Sequence, residues 1–568
     1  MKYIYRQTIV RLSIIGLVFG FYSCNSFENE PLDKLTDDYV FNTQDSTANY
    51  FTQSFYAIYA QLPNLHNRIS NNFLDAGTDD AIPTIFSNSG VEDYRNGELS
   101  PSNTVEGSSA WAQYYTGIRR ANLFLSKWAG QPATTKLPEP NRTYMKGEAI
   151  LLRAFFYFEL FKRWDGVPIV YDKIYNLEDK IDIPRSTREE CVKYINDQID
   201  TAMIYLPNAD ITKTSDPMYY RMNKGVALAL RSRLTLYLAS PLYNPSNEIS
   251  KWQTAANAAK TVIDLKTYSL HTASPGFQTI FITLKNSEVI MGKVLTSSSG
   301  SNAVEINNSP CGYYTTAFRC YGFTSPSQNL VDAFLTINGK SIQDDPTYNP
   351  QNPYENRDPR LKYTVFYNGS TWLKRSVETF EGGLDKPNRQ TSQTQTGYYL
   401  RKFMGNNENS STLATQKRAN NIIRYAEILL NYAEALNEIN KDNPDIITYL
   451  KDIRKRAGIN AGTDGRYGLP VSFTQSEMRE IIRNERRIEL AFEEHRFWDI
   501  RRWKIAETVM NQPINGVIIT KRSDGTFVYT VKNVRAQLFD ASKMYWYPIP
   551  QSEIVTNSAL TQNPGWNY

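Results

Sequence analysis

The chain has 568 residues and 41% hydrophobic content, enough to bury a large core as one big domain or two. Its 63 lysines and arginines against 58 aspartates and glutamates give +5, and Lys2, Arg6 and Arg11 lie in a leader expected to be removed, leaving about +2. So neutral a chain has no electrostatic footprint for nucleic acid, and His66, His271 and His495 stand too far apart for a histidine-based metal site.

Residues 12–22 are an uninterrupted apolar run behind those positives. The run is too short to span a bilayer, which takes about 20 residues, but it fits a signal-peptide core. Ser23-Cys24 follows, and a small residue before a cysteine at this point looks like a lipoprotein cleavage site, although Phe21 and Tyr22 are bulky for one. Residues 1–23 are therefore expected to leave as a signal peptide. Cys24 becomes the acylated N-terminus, and residues 24–45, which begin polar and acidic (NSFENE after the cysteine), form the tether. Export favours oxidation. Cys311 and Cys320 could close a small disulfide loop or remain two thiols, and Cys191 is left as a buried thiol on a helix.

Residues 46–265 form an N-terminal helical part. Residues 47–62 place Tyr50, Phe51, Phe55, Ile58 and Tyr59 at helical spacing. Periodicity is then lost over 63–105, and so long an aperiodic stretch inside a compact protein is often a functional loop. Helix resumes at 108–128, with Trp111, Tyr115, Ile118 and Leu125 on the apolar face, which assigns Trp111 to the core. Residues 143–164 are apolar nearly all round and predict a buried central helix, with Glu159 and Arg163 in the favourable i,i+4 order. Further helices follow at 188–206, 223–240 and 251–265. The alternation predicts a mainly α protein of stacked helical hairpins.

Residues 266–415 differ: short β-prone runs such as SEVIMGKVL and LKYTVFYNG lie among Gly, Asn, Ser and Thr. This is a loop-rich mixed α/β insertion. Residues 416–568 form a C-terminal helical part. In it 418–439 reads as a helix, with Arg424, Glu427, Asn431, Glu434 and Glu438 as a polar stripe. A helix over about 446–456 stops at Gly458, and VIITKR and TFVYTVK form a hairpin about Asp524-Gly525.

The most charged stretch, 479–504, reads as one helix with Ile481, Ile488 and Phe492 on one face. Glu485, Glu489 and Glu493 recur every fourth residue, a like-charge ladder that Arg486 is placed to bridge. Arginines within a turn of every glutamate lower carboxylate pKa values. The stretch is therefore a frame and the wrong place for the general acid of a glycosidase.

NERRIELAFEEHRFWDIRRWK within it resembles the C-terminal signature of the SusD/RagB family, surface lipoproteins of Bacteroidetes nutrient uptake. GEAILLRAFFYFELFKRWDGVPIV, PSQNLVDAF, RDPRL, RYAEILLNYAEAL and YPIPQSEI with LTQNPGW match the family pattern in order. The resemblance implies tetratricopeptide-like helix pairs and an irregular ligand-binding portion. It implies anchorage to outer-membrane lipid through Cys24, facing the cell exterior, and delivery of bound glycan to a SusC-like TonB-dependent transporter. No catalysis, cofactor or metal is implied.

Capture of oligosaccharides needs flat aromatic faces for sugar C–H edges and amides or carboxylates for hydroxyls. The two aperiodic regions supply the candidates: Asp79, Asp80 and Tyr94 in the first, Tyr313, Tyr314, Tyr321 and Trp372 in the second. An exported glycoside hydrolase, a peptide-binding protein and a purely structural scaffold are the alternatives. No nucleophile elbow, metal cluster or isolated acid pair favours the enzyme.

Overall fold

The apolar periodicities become helices within a few residues of where the sequence places them. The computed structural model describes residues 37–85, 90–176, 178–212, 219–274, 276–295, 303–313, 320–386, 393–405 and 417–566. The leader, Cys24 and Tyr314 lie outside them. The N-terminal part comprises α1 (Asn49–Tyr59), α2 (Val105–Trp128), α3 (Asn141–Trp164), α4 (Arg188–Tyr205), α5 (Lys224–Ala239) and α6 (Ile249–Asp264). The C-terminal part adds α7 (Tyr425–Ile439), α8 (Pro444–Ala457), α9 (Gln475–Glu489) and α10 (His495–Arg502). Successive helices pack in pairs, α2 on α3, α3 on α4, α5 on α6 and α7 on α8, while α7 also covers α6 and so joins the two parts.

Every residue of α3 from Gly147 to Trp164 is buried. Each of Phe155, Phe156, Phe158 and Phe161 gains about 1.5–3 kcal/mol from that burial. Local signals set the ends. Thr187 and Glu190 close a capping box on α4, Thr474 and Glu477 another on α9, and Gly458 ends α8 at φ 90°, a conformation that only glycine adopts without cost.

Strands are few. β1 (Val289–Leu295) pairs antiparallel with β2 (Arg418–Arg424), and β3 (Ile514–Lys521) with β4 (Phe527–Arg535) across the Asp524-Gly525 turn. Ala81–Pro83 pairs with Thr324–Pro326 and fastens the first aperiodic segment to the insertion. The start of the expected helix over 418–439 is thus a strand. Its β-branched Ile423 pairs with Met291 of β1, and α7 begins only at Tyr425. Similarly, LKYTVFYNG divides into a short helix, Pro359–Thr364, and the two-residue strand Val365–Phe366.

The charged stretch is two helices rather than one. Between α9 and α10 the chain turns through Phe492 at φ 61° and Glu494 at φ 64°, although 475–504 contain neither glycine nor proline. Left-handed backbone costs roughly 1–2 kcal/mol per residue here. The carboxylate of Asp75 offsets it by accepting the backbone N–H groups of Phe492 (3.0 Å) and Glu494 (3.3 Å), and the Phe492 ring packs edge-on to Phe73.

The glutamate ladder is answered from other elements. Glu485 accepts from Arg360 and Arg454, Glu489 from Arg360, Arg424 and Arg456, and Glu493 from Arg424 and Lys402. With Glu288 and Asp358 included, five cations meet five carboxylates inside the protein. Arg486, expected to bridge the ladder, turns to Asp499 and Asn431 instead. The polar stripe on α7 is buried in the same manner. Glu427 meets Arg233, Glu434 meets Arg502 and Glu438 meets Arg479.

Candidate ligand-binding site

Four of the candidates taken from the sequence belong to the interior and are corrected here. Asp79 and Asp80 are 5% and 0% exposed. Arg496 grips Asp79 with two bonds of 2.9 Å, and Arg487 reaches Asp79 at 2.8 Å and Asp80 at 2.7 Å. Burial raises the Asp79 pKa, but Arg487 and Arg496 outweigh it and hold the carboxyl at about 2. These aspartates rivet the first aperiodic segment to α9 and α10. Tyr94 is wholly buried between Phe497 and Tyr547. Trp372, 2% exposed, fills a small second core with Phe366, Val377, Tyr399, Met404, Cys311 and Cys320.

Cys311 and Cys320 are in that core as thiols, so the disulfide is not formed. Burial pushes the Cys311 thiol up to about 12 and Cys320 higher still, which removes the thiolate that oxidation requires. Cys191, on α4, is buried as expected.

Tyr313 and Tyr321 are partly exposed. Tyr313 supports the turn over 371–376: its hydroxyl donates to the carbonyls of Trp372 (2.7 Å) and Arg375 (3.0 Å), and the Arg375 guanidinium lies 3.7 Å over its ring. Tyr321 and Phe323 form a platform. The segment carrying them is tied down on both sides, Tyr321 N–H donating to Ile306, Phe323 N–H to Asn307, and Thr84 N–H to Phe323. Gly322 between them turns the chain at φ 54°, and the two rings stack 4.9 Å apart with 9° between planes. The Asn307 side-chain amide, beside this segment, donates to Asn71 (3.4 Å). The structure thus unites Tyr313 with Trp372 and Asp79 with Asp80, and places Tyr94 with neither group.

A groove of about 340 Å³ opens elsewhere, between α2, the 168–183 segment and the C-terminal helix Gln551–Thr556. The half-buried Tyr115 forms its floor together with the edge of Trp111, which lies one turn before it on α2 and is 5% exposed. Ile181, Ile183 and Tyr175 form a wall, and Arg119, Lys173, Thr116 and Glu553 stand around it. The sequence reading missed it because a helical apolar stripe signals core, and Trp111 is core on one edge and groove floor on the other. Glu553 is half-buried; burial raises its pKa, and the Trp111 side chain opposes that with a hydrogen bond.

Comparisons with known proteins agree on one family. A family model described as "SusD family" matches residues 287–566, and a second, "Starch-binding associating with outer membrane", matches 31–236. SusD-like protein P2 of Formosa agariphila is 24% identical over 578 residues, covering 98% of this chain and 99% of that protein. The crystal structure of a SusD-like protein from Bacteroides fragilis is similar at TM-score 0.77 and 26% identity, over 94% of this chain and 100% of that one. A SusD-like carbohydrate binding protein from the same organism is similar at TM-score 0.75 and 23% identity, over 91% and 99%.

Proposed function

The chain belongs to the SusD/RagB family, and from that premise we propose that it is a non-catalytic surface lipoprotein that binds glycan chains and passes them to a SusC-like TonB-dependent transporter. One observation carries the binding reading: Tyr321 and Phe323 stack as a pair of parallel rings, half-buried, at the junction of the two aperiodic regions. The outer face of such a stack suits the apolar face of a sugar, while the Asn71 and Asn307 amides and the Tyr321 hydroxyl suit its hydroxyls. Acylated Cys24 supplies the anchor, on the exterior leaflet of the outer membrane.

Hydrolysis is disfavoured by where the carboxylates are. The glutamates of the frame, with Asp79 and Asp80, are held by arginines and a lysine, Asp75 is enclosed against backbone N–H groups, and the α2 groove has Glu553 as the lone acidic residue among the described residues of its lining. Glycoside hydrolysis needs two carboxyl groups about 5–9.5 Å apart. The test is calorimetry of the chain from Asn25 onward against polysaccharides and peptides, with chromatography of the glycans afterwards. Binding of a glycan without cleavage, weakened when Tyr321 and Phe323 are both alanine, is the expected result. Cleavage, binding of peptides alone, or unchanged affinity in the double variant overturns it.

A further inference from the structure

We propose that the groove on α2 is a second saccharide site, which takes one pyranose end of a glycan against Trp111 and Tyr115 with Glu553 accepting its hydroxyls. This rests on the reading of the protein as a glycan binder but not on the Tyr321–Phe323 platform.

The floor is preformed. The Trp111 and Tyr115 rings lie 5.0 Å apart; Trp164 meets Trp111 edge-on at 5.0 Å, and the Tyr115 hydroxyl is tied to the Pro168 carbonyl at 2.8 Å. A ligand that stacks there orders little that is not already ordered. The wall is fixed too: Arg119 donates from Nε to the Tyr175 carbonyl, Lys173 covers the Tyr175 ring at 4.2 Å, and the Asn557 side chain bonds both backbone groups of Ile183. The free space lies within the 300–1,000 Å³ usual for small-ligand sites.

Glu553 decides the ligand class. The buried glutamates of the frame are each met by one or more cations, whereas Glu553 lines the groove half-buried beside Trp111, which opposes the effect of burial on it. A carboxylate accepts up to about four hydrogen bonds, and one donor leaves most of that capacity facing the groove. Vicinal sugar hydroxyls supply paired donors beside an apolar ring face. A fatty-acid head would set its own negative charge against Glu553, and an extended peptide would find helix and loop walls in place of an open strand edge. The hydroxyl of Thr116, on the exposed side of α2, completes a polar margin around an aromatic floor.

The protein labelled with 5-fluorotryptophan tests this by fluorine NMR, the Trp111 signal being assigned by its loss in Trp111→Phe. The probes are methyl glucoside, galactoside, xyloside and mannoside at high concentration, and whichever glycan the calorimetric panel selects. The Trp111 signal is expected to move with at least one probe and to do so still when Tyr321 and Phe323 are alanine. Ala112→Trp, which plugs the exposed lip of the groove, should abolish the movement, and Glu553→Gln should weaken it about tenfold. A Trp111 signal unmoved by every probe overturns the proposal, whether or not the platform binds. Movement of Trp111 in a protein whose platform variants bind normally sustains it and removes the platform reading instead.

Discussion

Glu489 and Glu553 are both glutamates of the C-terminal part, and their surroundings are built on opposite terms. At Glu489 burial pushes the carboxyl up, but Arg456, Arg424 and Arg360 hold it far below the usual carboxylate range. At Glu553 burial pushes it up and a single indole hydrogen bond answers. In the first region the hydrogen-bonding capacity of the charges is saturated by the protein itself, and they fix helices and loops in place. In the second, the Tyr115 ring, an edge of Trp111 and one carboxylate line a groove. A dense field of charge in this molecule therefore marks framework, and recognition belongs where few charges stand among aromatic side chains.

The sharpest way to break that contrast is to truncate both glutamates. Glu489→Ala leaves three buried arginines short of an anion and should cost about 3–5 kcal/mol, read as a lower urea midpoint. Glu553→Ala at its half-exposed site should stay within about 0.5 kcal/mol. Equal losses would show that the two regions do not differ in kind. Trp372→Ala tests a candidate now assigned to packing: it should cost about 3–5 kcal/mol, the usual range for a buried aromatic, without changing glycan affinity. A protein of normal stability with weakened binding would return Trp372 to the surface.

Acid separates the regions next. Burial raises Glu434, but Arg502 with its two bonds, Arg486 and the Trp503 indole hold it at about 2. Its folded pKa is thus below the unfolded value, so its stabilisation is full above roughly pH 4.5 and is lost as pH falls through about 2. The whole difference is about 3 kcal/mol. Glu434→Gln should be less stable at pH 7 and should lose less on acidification to pH 2; a parallel pair of pH–stability curves would remove the paired-charge account.

The elements were legible from the sequence where local signals act alone: the all-round apolarity of 143–164, Gly458, and Asp524-Gly525. What stayed hidden depends on partners distant in the chain. Nothing between 475 and 504 signals the break at Phe492, because its cause is Asp75. Asp79 and Asp80 read as loop acids because Arg487 and Arg496, which capture them, lie some four hundred residues on. Trp111 read as core, half of its true position, since a helical wheel cannot show that the neighbouring segment leaves a gap.

The smallest stability effect belongs to the platform, and it is the most informative about function. Tyr321→Ala removes one ring of a stacked pair at a half-buried site, so it should cost about 1 kcal/mol of stability. The same change should weaken glycan binding about tenfold, the scale of a recognition hot spot. Phe323→Ala should act similarly. Because each ring positions the other and both face one ligand, the two losses should not add: the double variant should bind little worse than either single one, with a coupling of about 1 kcal/mol in a double-mutant cycle. Strict additivity would mean that the rings meet the ligand separately, and that their stacking in the unbound protein has no part in recognition.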